Sequence, residues 1–292
     1  MNKIYNHKIV INKEQSLLRL DQALAKLTSY SRSQIKILLS NDNILKNEEI
    51  IKDASYKVKS GEKYIINIKI PELEKFDAVI FDMDGTLLDT ERLSYLAFLE
   101  ACQEHQFKDM EKAESVYRQC IGLNSTKLKQ VLREGFGKTL PPEFYERWRK
   151  IYSRDAYEKA PPIKPGARKL LSFLDSRNMV MAVATSTKYV NAIKKLKSTQ
   201  LDHYFHTVVG GDQVQNSKPD PDIYLQAAKL LEVDPSKCLA LEDSNNGALA
   251  AHRARTFVCQ IPDMLPPSEE VKKLDQLRVF PSLLAVLEEL QS

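Results

Sequence analysis

The feature that most constrains this chain is an apolar run that ends abruptly in two carboxylates. Residues 78–81 read Ala-Val-Ile-Phe, and Asp82, Asp84 and Gly85 follow closely. A short continuous apolar segment is typical of a strand buried on both faces of a parallel sheet. Ligand crevices of such sheets lie outside the carboxyl ends of the strands. The segment therefore predicts an α/β domain with both acids at its functional edge, although two acids and a glycine also suit a plain turn.

Two later apolar runs and one lysine extend this pattern. The run at residues 181–184 is followed by Thr185 and Ser186, and the run at 239–241 is followed by Glu242 and Asp243. Lys218 lies between them, before an acid-rich helical pattern. Ammonium and hydroxyl groups can donate to phosphoryl oxygens, and carboxylate oxygens suit Mg²⁺. Each group alone is also explained as a helix cap, a loop end or a solvated turn, but their order favours one shared site.

The string FDMDGTLLDT at residues 81–90 resembles the first motif of the haloacid dehalogenase superfamily. The three segments just described resemble the other motifs of that superfamily, in its order. The resemblance covers residues 76–292 and implies a Rossmann-like parallel sheet core with an inserted α-helical cap. It also implies a phosphoric monoester hydrolase, because dehalogenases of the superfamily lack the second aspartate and transport ATPases carry threonine there.

By this resemblance Asp82 is the nucleophile that forms an aspartyl phosphate, and Asp84 is first the general acid and then the general base. Mg²⁺ would be held by Asp82, the main-chain carbonyl of Asp84 and Asp243, with Glu242 near or in the coordination shell. The residues expected to hold the phosphoryl group are Thr185, Ser186 and Lys218. The expected reaction is hydrolysis of a small phosphomonoester, either a sugar phosphate or a nucleotide-like compound.

Residues 93–162 are rich in helix formers and lie between the first two motifs. By the same resemblance they form a helical cap that closes over the site and excludes water. Asn124, Ser125 and Thr126 are candidates for substrate contact in this cap. Relatives that act as β-phosphoglucomutases carry a histidine and an arginine where this chain has Ser94 and Ser125, so a hydrolase is favoured over a phosphosugar mutase.

The first quarter of the chain has a pattern and a charge of its own. Residues 1–75 contain fourteen Lys or Arg against nine Asp or Glu, while the remainder is nearly balanced. The spacing of Leu17, Leu20, Leu24 and Leu27 predicts one face of a helix, and the alternation over residues 64–70 predicts a strand. We expect a small α+β module at residues 1–72, followed by the hydrolase domain at residues 76–292.

This module resembles the S4 RNA-binding domain, in the form that precedes large-subunit pseudouridine synthases. The matching segments are RLD at residues 19–21, SRS at 31–33, Asn47 and YKVKSGE at 56–62. The residues that the resemblance implies for contact with structured RNA are Arg19, Arg32, Lys36, Lys57 and Lys59. A module that only solubilises or docks the enzyme would explain the same basic residues.

Two positions depart from the families that the chain resembles. Glu48 stands where the S4 domain usually has a turn glycine, and Arg255 stands where the hydrolases usually place a glycine before a strand. Glycine is favoured where the backbone takes a positive φ. We expect Glu48 to weaken the hairpin, and Arg255 to affect stability more than chemistry.

The composition excludes several other classes of protein. No apolar run approaches the roughly 18 residues of a spanning helix, and the first residues lack the apolar stretch of a signal peptide, so we expect a cytoplasmic protein with no membrane partner. Cys102, Cys120, Cys238 and Cys259 show no CxxC spacing, which predicts buried thiols. An RNA-binding protein with a vestigial or regulatory phosphatase domain is the alternative, and the two domains are either a natural fusion or a constructed one.

Overall fold

The structure is a computed structural model that describes residues 5–28, 30, 32–40, 42–68, 72–121 and 125–291. The elements of its N-terminal module are β1 (Tyr5–Val10), α1 (Leu20–Leu27), α2 (Arg32–Ser40), β2 (Ile44–Lys46), β3 (Glu49–Ile50) and β4 (Lys63–Ile68). The strands form an antiparallel sheet in the order β1-β4-β2-β3. The predicted small α+β architecture is therefore confirmed.

The predicted helical face of this module is wrong at Leu17. This residue precedes α1, has a φ of 68° and is 72% exposed, whereas Leu20 and Leu24 are fully buried. The N–H of Leu17 donates to the main-chain oxygen of Val58 at 2.8 Å. The chain is thus bonded to a distant segment at this point instead of starting a helix, and the spacing of leucines carries no information about that bond.

Six parallel strands form the second sheet, and five helices accompany them. The strands are β5 (Ala78–Phe81), β6 (Val180–Thr185), β7 (Thr207–Gly210), β8 (Cys238–Glu242), β9 (Phe257–Gln260) and β10 (Leu277–Val279). The helices are α7 (Ala167–Ser176), α8 (Tyr189–Ser198), α9 (Asp222–Leu230), α10 (Asn245–Arg253) and α11 (Leu283–Gln291). The strand order β10-β9-β8-β5-β6-β7 places β5 between β8 and β6. This arrangement confirms the predicted Rossmann-like α/β class.

Alternate side chains of β5 enter hydrophobic clusters on opposite faces of the sheet. Val79 and Phe81 belong to one cluster, and Ala78 and Ile80 belong to another that also contains Tyr224 of α9. All four strand residues are fully buried. A strand covered on both faces has no solvent-facing side, so each of its positions is apolar. This burial explains the continuous apolar run in the sequence.

Further helices lie between β5 and β6, where the sequence predicts the cap. They are α3 (Thr90–Glu104), α4 (Met110–Cys120), α5 (Ser125–Phe136) and α6 (Phe144–Ser153), followed by a π-helical turn at Arg154–Glu158. Their hydrophobic cluster is separate from those of the sheet. Phe98 lies at its centre, with ring centroids 5.6 Å from Phe144 and 5.2 Å from Trp148. We call α3–α6 with this turn the inserted helices, and we propose that they form the cap.

The two segments that connect the inserted helices to the sheet are bonded to each other. The N–H of Asp89 donates to the main-chain oxygen of Pro162 at 2.8 Å, and the N–H of Lys164 donates to that of Leu87 at 2.9 Å. An isolated antiparallel bridge lies between these two bonds. The entry and the exit of the inserted helices are therefore neighbours, a few residues beyond Asp84.

Both departures from glycine fall at positive φ. In the turn between β2 and β3, Asn47 and Glu48 have φ values of 49° and 72°, as in two-residue hairpin loops that follow the twist of their strands. Arg255, between α10 and β9, has a φ of 67°. Side chains with a Cβ are disfavoured in this left-handed region. The backbone at Glu48 and Arg255 thus has the conformation for which glycine is preferred.

In the part of the chain that the structure describes, no helix is both long and apolar enough to cross a membrane. The four cysteines are buried and free, as the sequence predicts. Cys102 and Cys120 lie among the inserted helices, and Cys238 and Cys259 lie in the clusters of the sheet. Burial raises the pKa of the Cys102 thiol to about 12, so this thiol carries no charge at neutral pH.

Candidate active site

Asp82 follows the central strand β5 and contacts a buried lysine. Its N–H donates to the main-chain oxygen of Leu241 at 2.9 Å, which extends the pairing with β8 by one residue. Asp82 is only 6% exposed, and its Oδ1 accepts a 2.7 Å hydrogen bond from Lys218 Nζ. Lys218 also donates to the main-chain oxygen of Ala184 at 3.1 Å and to a carboxylate oxygen of Glu242. Lys218 thus connects the ends of β5, β6 and β8.

Glu242 is fully buried at the end of β8 and fixes Lys218 in place. Its Oε1 also accepts a 2.8 Å hydrogen bond from the hydroxyl of Tyr224 on α9. Its Oε2 accepts bonds from the N–H and the hydroxyl of Ser244, at 3.2 and 3.1 Å. Burial acts to lower the pKa of Lys218, but the charges of Asp82 and Glu242 outweigh it and raise the pKa. Lys218 is therefore a fixed cation beside Asp82.

A further acid, Asp243, is half-buried near Asp82. One carboxylate oxygen from each of Asp82, Glu242 and Asp243 lies within 4.8 Å of the others. Burial, together with repulsion between carboxylates, raises the pKa values of Asp82 and Asp243 well above their ordinary range. The hydroxyl of Thr86 approaches Asp243 Oδ1 at a long 3.4 Å.

This donor set fits a magnesium ion. Buried carboxylates that repel one another are stabilised by a cation, and Mg²⁺ prefers oxygen ligands. Both oxygens of Glu242 already accept hydrogen bonds from protein groups. Asp82 and Asp243 are therefore better placed than Glu242 to bind such an ion.

Two glycines make room for these acids. Gly85 has a φ of 91°, and a Cβ there would lie 2.3 Å from Asp243 Oδ2. A Cβ at Gly247, in the first turn of α10, would lie 1.9 Å from Glu242 Oε1. Real Cβ atoms do not approach other heavy atoms so closely, so a side chain at either position would displace the carboxylate.

Asp84 is held by four side-chain donors. Its Oδ1 accepts from the hydroxyl of Thr90 at 2.8 Å and from Lys195 Nζ at 2.6 Å. Its Oδ2 accepts from the hydroxyl of Thr187 at 2.6 Å and, at a long 3.4 Å, from that of Thr185. Burial acts to raise the pKa of Asp84, but Lys195 and the hydroxyl donors outweigh it and lower the pKa. Asp84 is therefore ionised at neutral pH in this arrangement.

Sequence reasoning missed Lys195, although its position in α8 carried a signal. Its side chain is fully buried, and it shares one face of the helix with the buried residues Ala192, Leu196 and Thr199. A lysine at helical spacing within an apolar face needs a buried partner. That partner, Asp84, is 111 residues away, and helical spacing does not identify it.

The structure places the remaining predicted contacts only in part. Thr185 and Ser186 lie together at the end of β6, where Thr185 is buried and Ser186 is exposed. In the inserted helices, Asn124 lies outside the described residues. Ser125 and Thr126 begin α5, but their side chains are not among those that the structure describes. Phosphate binding by Thr185 and Ser186 therefore stays a prediction, as does substrate contact by Asn124, Ser125 and Thr126.

Glu91, in the first turn of α3, is another acid near the site that sequence reasoning missed. Burial, together with repulsion from Asp84 and Asp263, raises its pKa to about 7. Lys164 Nζ lies nearby, 2.7 Å from Asp263 Oδ1 and 3.6 Å from Asp89 Oδ1. The Glu91 carboxyl therefore changes its protonation state near neutral pH. It lies beside the entry to the inserted helices. Its signal in the sequence was its position immediately after the first motif.

In the N-terminal module, three of the residues predicted to contact RNA converge on one buried carboxylate. The Asp21 carboxylate forms ion pairs with Arg19 at 3.1 Å, Arg32 at 2.9 Å and Lys36 at 3.9 Å. Burial acts to raise the pKa of Asp21, but the two arginines outweigh it and lower the pKa. The basic side chains stay 37 to 55% exposed. The other two predicted contact residues, also exposed, are Lys57 and Lys59.

Residues 79–261 match the family model of the haloacid dehalogenase-like hydrolases, and residues 18–63 match that of the S4 domain. A phosphorylated carbohydrates phosphatase from Thermotoga maritima is 34% identical over 183 residues, which is 61% of this chain and 81% of that protein. A beta-phosphoglucomutase from Bacillus subtilis is 30% identical over 190 residues, which is 62% of this chain and 80% of that protein.

Among solved structures, CbbY from Rhodobacter sphaeroides in complex with phosphate matches with a TM-score of 0.58 and 29% identity, over 74% of this chain and all of that chain. The hydrolase model covers more than half of the chain, and the matched range contains the acids and the lysine at the ends of the parallel strands. The chain therefore belongs to the haloacid dehalogenase-like hydrolases, is an enzyme of the phosphatase type, and carries an S4 domain ahead of the hydrolase domain.

Proposed function

We propose that this chain catalyses magnesium-dependent hydrolysis of a small phosphomonoester through an aspartyl phosphate on Asp82. The observation that carries the proposal is the bond from Lys218 to Asp82, at 2.7 Å and at the end of the central strand. A fixed ammonium beside a carboxylate nucleophile reduces the repulsion between that carboxylate and a phosphate dianion. Phosphoryl transfer depends mainly on such positioning and charge neutralisation.

In the first step, a carboxylate oxygen of Asp82 attacks phosphorus, the bond to the leaving oxygen breaks, and Asp84 protonates that oxygen. In the second step Asp84 removes a proton from water, which attacks the aspartyl phosphate and releases inorganic phosphate. The ionised state of Asp84 suits the second step, and a proton gained on substrate binding would prepare it for the first. Lys218, with Thr185 and Ser186, would hold the phosphoryl oxygens.

Asp82, Asp243 and the main-chain carbonyl of Asp84 would hold Mg²⁺, with Glu242 beside them. Bound there, the ion would neutralise charge on the transferring phosphoryl group. The high pKa values that burial and mutual repulsion give Asp82 and Asp243 support a cation between them. We expect chelation to abolish turnover and added Mg²⁺ to restore it.

The substrate class that we propose is a sugar phosphate or a nucleotide-like phosphomonoester. The carbohydrate phosphatase among the relatives supports the first of these. A phosphosugar mutase is the alternative, because one relative is named a beta-phosphoglucomutase. Ser94 stands where such mutases carry a histidine, and a serine hydroxyl does not titrate near neutral pH as an imidazole does. We therefore favour hydrolysis over transfer within the sugar.

Phosphate release from sugar phosphates, nucleotides and an aryl phosphate, with Mg²⁺ or with chelator, tests the proposal. The control is Asp82→Asn, which keeps the size of the side chain and removes the nucleophile. We expect the native chain to release phosphate only with Mg²⁺ and the variant to release none. Turnover that survives in Asp82→Asn would refute the assigned nucleophile. No turnover on any compound would favour RNA binding as the main role.

The match of residues 18–63 to the S4 domain supports RNA binding as a second activity. Phosphate contacts by lysine and arginine weaken as salt concentration rises. We expect Lys57→Gln and Lys59→Gln to weaken the binding of a structured RNA hairpin and to reduce its salt dependence. Lys150→Gln, at an exposed position in α6, is the charge-matched control. Equal binding by all three variants would contradict this second proposal.

A further inference from the structure

Lys195 links Asp84 to the inserted helices. Its Nζ lies 2.6 Å from Asp84 Oδ1 and 3.1 Å from the hydroxyl of Tyr152. The ammonium also lies 5.5 Å from the ring centroid of Tyr152 and 5.0 Å from that of Tyr157. Tyr152 is near the end of α6, and Tyr157 is in the π-helical turn that leads back towards the sheet. One core lysine thus contacts both Asp84 and the exit from the inserted helices.

The entry to these helices contacts the same carboxylate. Thr90, the first residue of α3, donates to Asp84 Oδ1 at 2.8 Å. The Asp84 oxygen therefore receives one bond from the entry directly and one from Lys195, which is itself bonded to the exit. A rotation of the inserted helices relative to the sheet therefore affects both hydrogen bonds that Asp84 Oδ1 accepts.

The burial of Lys195 makes its contact with Asp84 obligatory. Its side chain is fully buried, and a buried ammonium without a charged partner is strongly destabilising. The described ion pairs give Lys195 one carboxylate, Asp84. The nearby rings add favourable cation–π contacts but no negative charge. Lys195 therefore restricts where the Asp84 carboxylate can lie.

We propose that Lys195 is a positioning residue for proton transfer by Asp84, and that Tyr152 communicates the position of the inserted helices to it. The inference rests on the proposed hydrolase function. When the bond between phosphorus and the leaving oxygen breaks, the electron pair stays on that oxygen and the proton of the Asp84 carboxyl moves to it. This transfer requires the carboxyl oxygen within hydrogen-bond reach of the leaving oxygen. Lys195 holds it within that reach.

The test is the dependence of kcat/KM on the leaving group. General acid catalysis matters for a poor leaving group such as an alkoxide and little for 4-nitrophenolate, which departs without a proton. Because a positioned acid contributes about 10²–10⁴-fold, we expect Lys195→Met to lower kcat/KM about tenfold or more on an alkyl phosphate. On 4-nitrophenyl phosphate the loss should stay within about twofold, since Asp82 and Lys218 are unchanged. A general loss of structure would lower both rates alike.

Two further variants make the test decisive. Tyr152→Phe removes one hydroxyl and keeps the ring and the pair between Lys195 and Asp84, so it serves if Lys195→Met does not fold. Like Lys195→Met, it should lower kcat/KM more on the alkyl phosphate than on 4-nitrophenyl phosphate. Lys194→Met, at the exposed neighbouring position in α8, should behave as the native chain does.

The outcomes separate this inference from the proposed function. Hydrolysis by the native chain with the same leaving-group dependence in Tyr152→Phe and in folded Lys195→Met would overturn the inference alone. No hydrolysis of any ester by the native chain would overturn the proposed function, and the inference with it. A steeper dependence in the variants, with Lys194→Met unchanged, supports both.

Discussion

Gly247→Ala should destabilise and inactivate this enzyme, although helix propensity predicts the opposite sign. Gly247 lies in the first turn of α10 and is buried against the end of β8. Its missing Cβ would lie 1.9 Å from Glu242 Oε1 and 2.1 Å from Oε2. Glu242 is fully buried and bonded to Lys218 and Tyr224. The carboxylate must therefore move away from its hydrogen-bond partners to admit one methyl group.

The size of the effect follows from three contributions. Alanine is favoured over glycine in a helix by about 1 kcal/mol. Forcing extra volume into a packed site costs about 1–3 kcal/mol, and each hydrogen bond to a charged group contributes about 1.5–3 kcal/mol. With one such bond lost, we expect the free energy of unfolding to fall by about 3 kcal/mol. A shift of Lys218 by about 1 Å should also lower kcat/KM about 100-fold.

Thermal unfolding and phosphate release measure both effects, with Asn246→Ala as control. Asn246 is the exposed neighbouring residue of the same helix, so its replacement should leave both quantities near their native values. A loss of 1 kcal/mol moves the melting temperature by roughly 2–4 °C in a domain of this size. A Gly247→Ala variant with native activity and an equal or higher melting temperature would refute the reasoning about Glu242.

Two other perturbations follow from the backbone and the charges. Glu48→Gly and Arg255→Gly should each raise the free energy of unfolding by about 0.5–1 kcal/mol. Glycine removes the steric cost of a side chain at positive φ, and this gain exceeds the additional conformational entropy that glycine loses on folding. A lower melting temperature of either variant would contradict this. The pKa of Glu91 rises from 4.5 to about 7 on folding, so its stabilising contribution is complete below about pH 4.5 and is lost as the pH rises through about 7. Melting temperatures in chelator should therefore show Glu91→Gln gaining stability relative to the native chain from pH 5 to pH 8, and a constant difference would exclude this titration.

The strand-end acids were predictable because the information about them is local. An apolar run followed at once by Asp82, or by Glu242 and Asp243, marks the end of a buried strand. Parallel strands present their carboxyl ends at the same edge of a sheet, so order along the chain was enough to bring these acids together. The structure places them as that argument requires, with oxygens of all three within 4.8 Å.

The sequence did not reveal contacts that depend on how helices dock. Lys195 lies on a helix whose buried face is evident, yet its distance from Asp84 depends on the rotation of α8 about its own axis and on the position of the inserted helices. The same holds for Leu17, where a backbone bond to Val58 replaced the expected helical turn. Periodicity identifies a face of a helix, but it does not identify the residue that the face meets.

The bonded entry and exit of the inserted helices have a consequence for how this family diversifies. The nitrogen of Asp89 and the oxygen of Pro162 are 2.8 Å apart. If the inserted helices were removed, a short turn would therefore join the two connecting segments. The entropic cost of closing an insertion rises only slowly with its length, by about 0.6 kcal/mol for each doubling. Helices can therefore be lengthened or exchanged at this point while the parallel strands keep Asp82, Glu242 and Asp243 in place, and only the contacts of Asp84 with Thr90 and, through Lys195, with Tyr152 change with them. New substrates become accessible to the same chemistry without rebuilding the sheet.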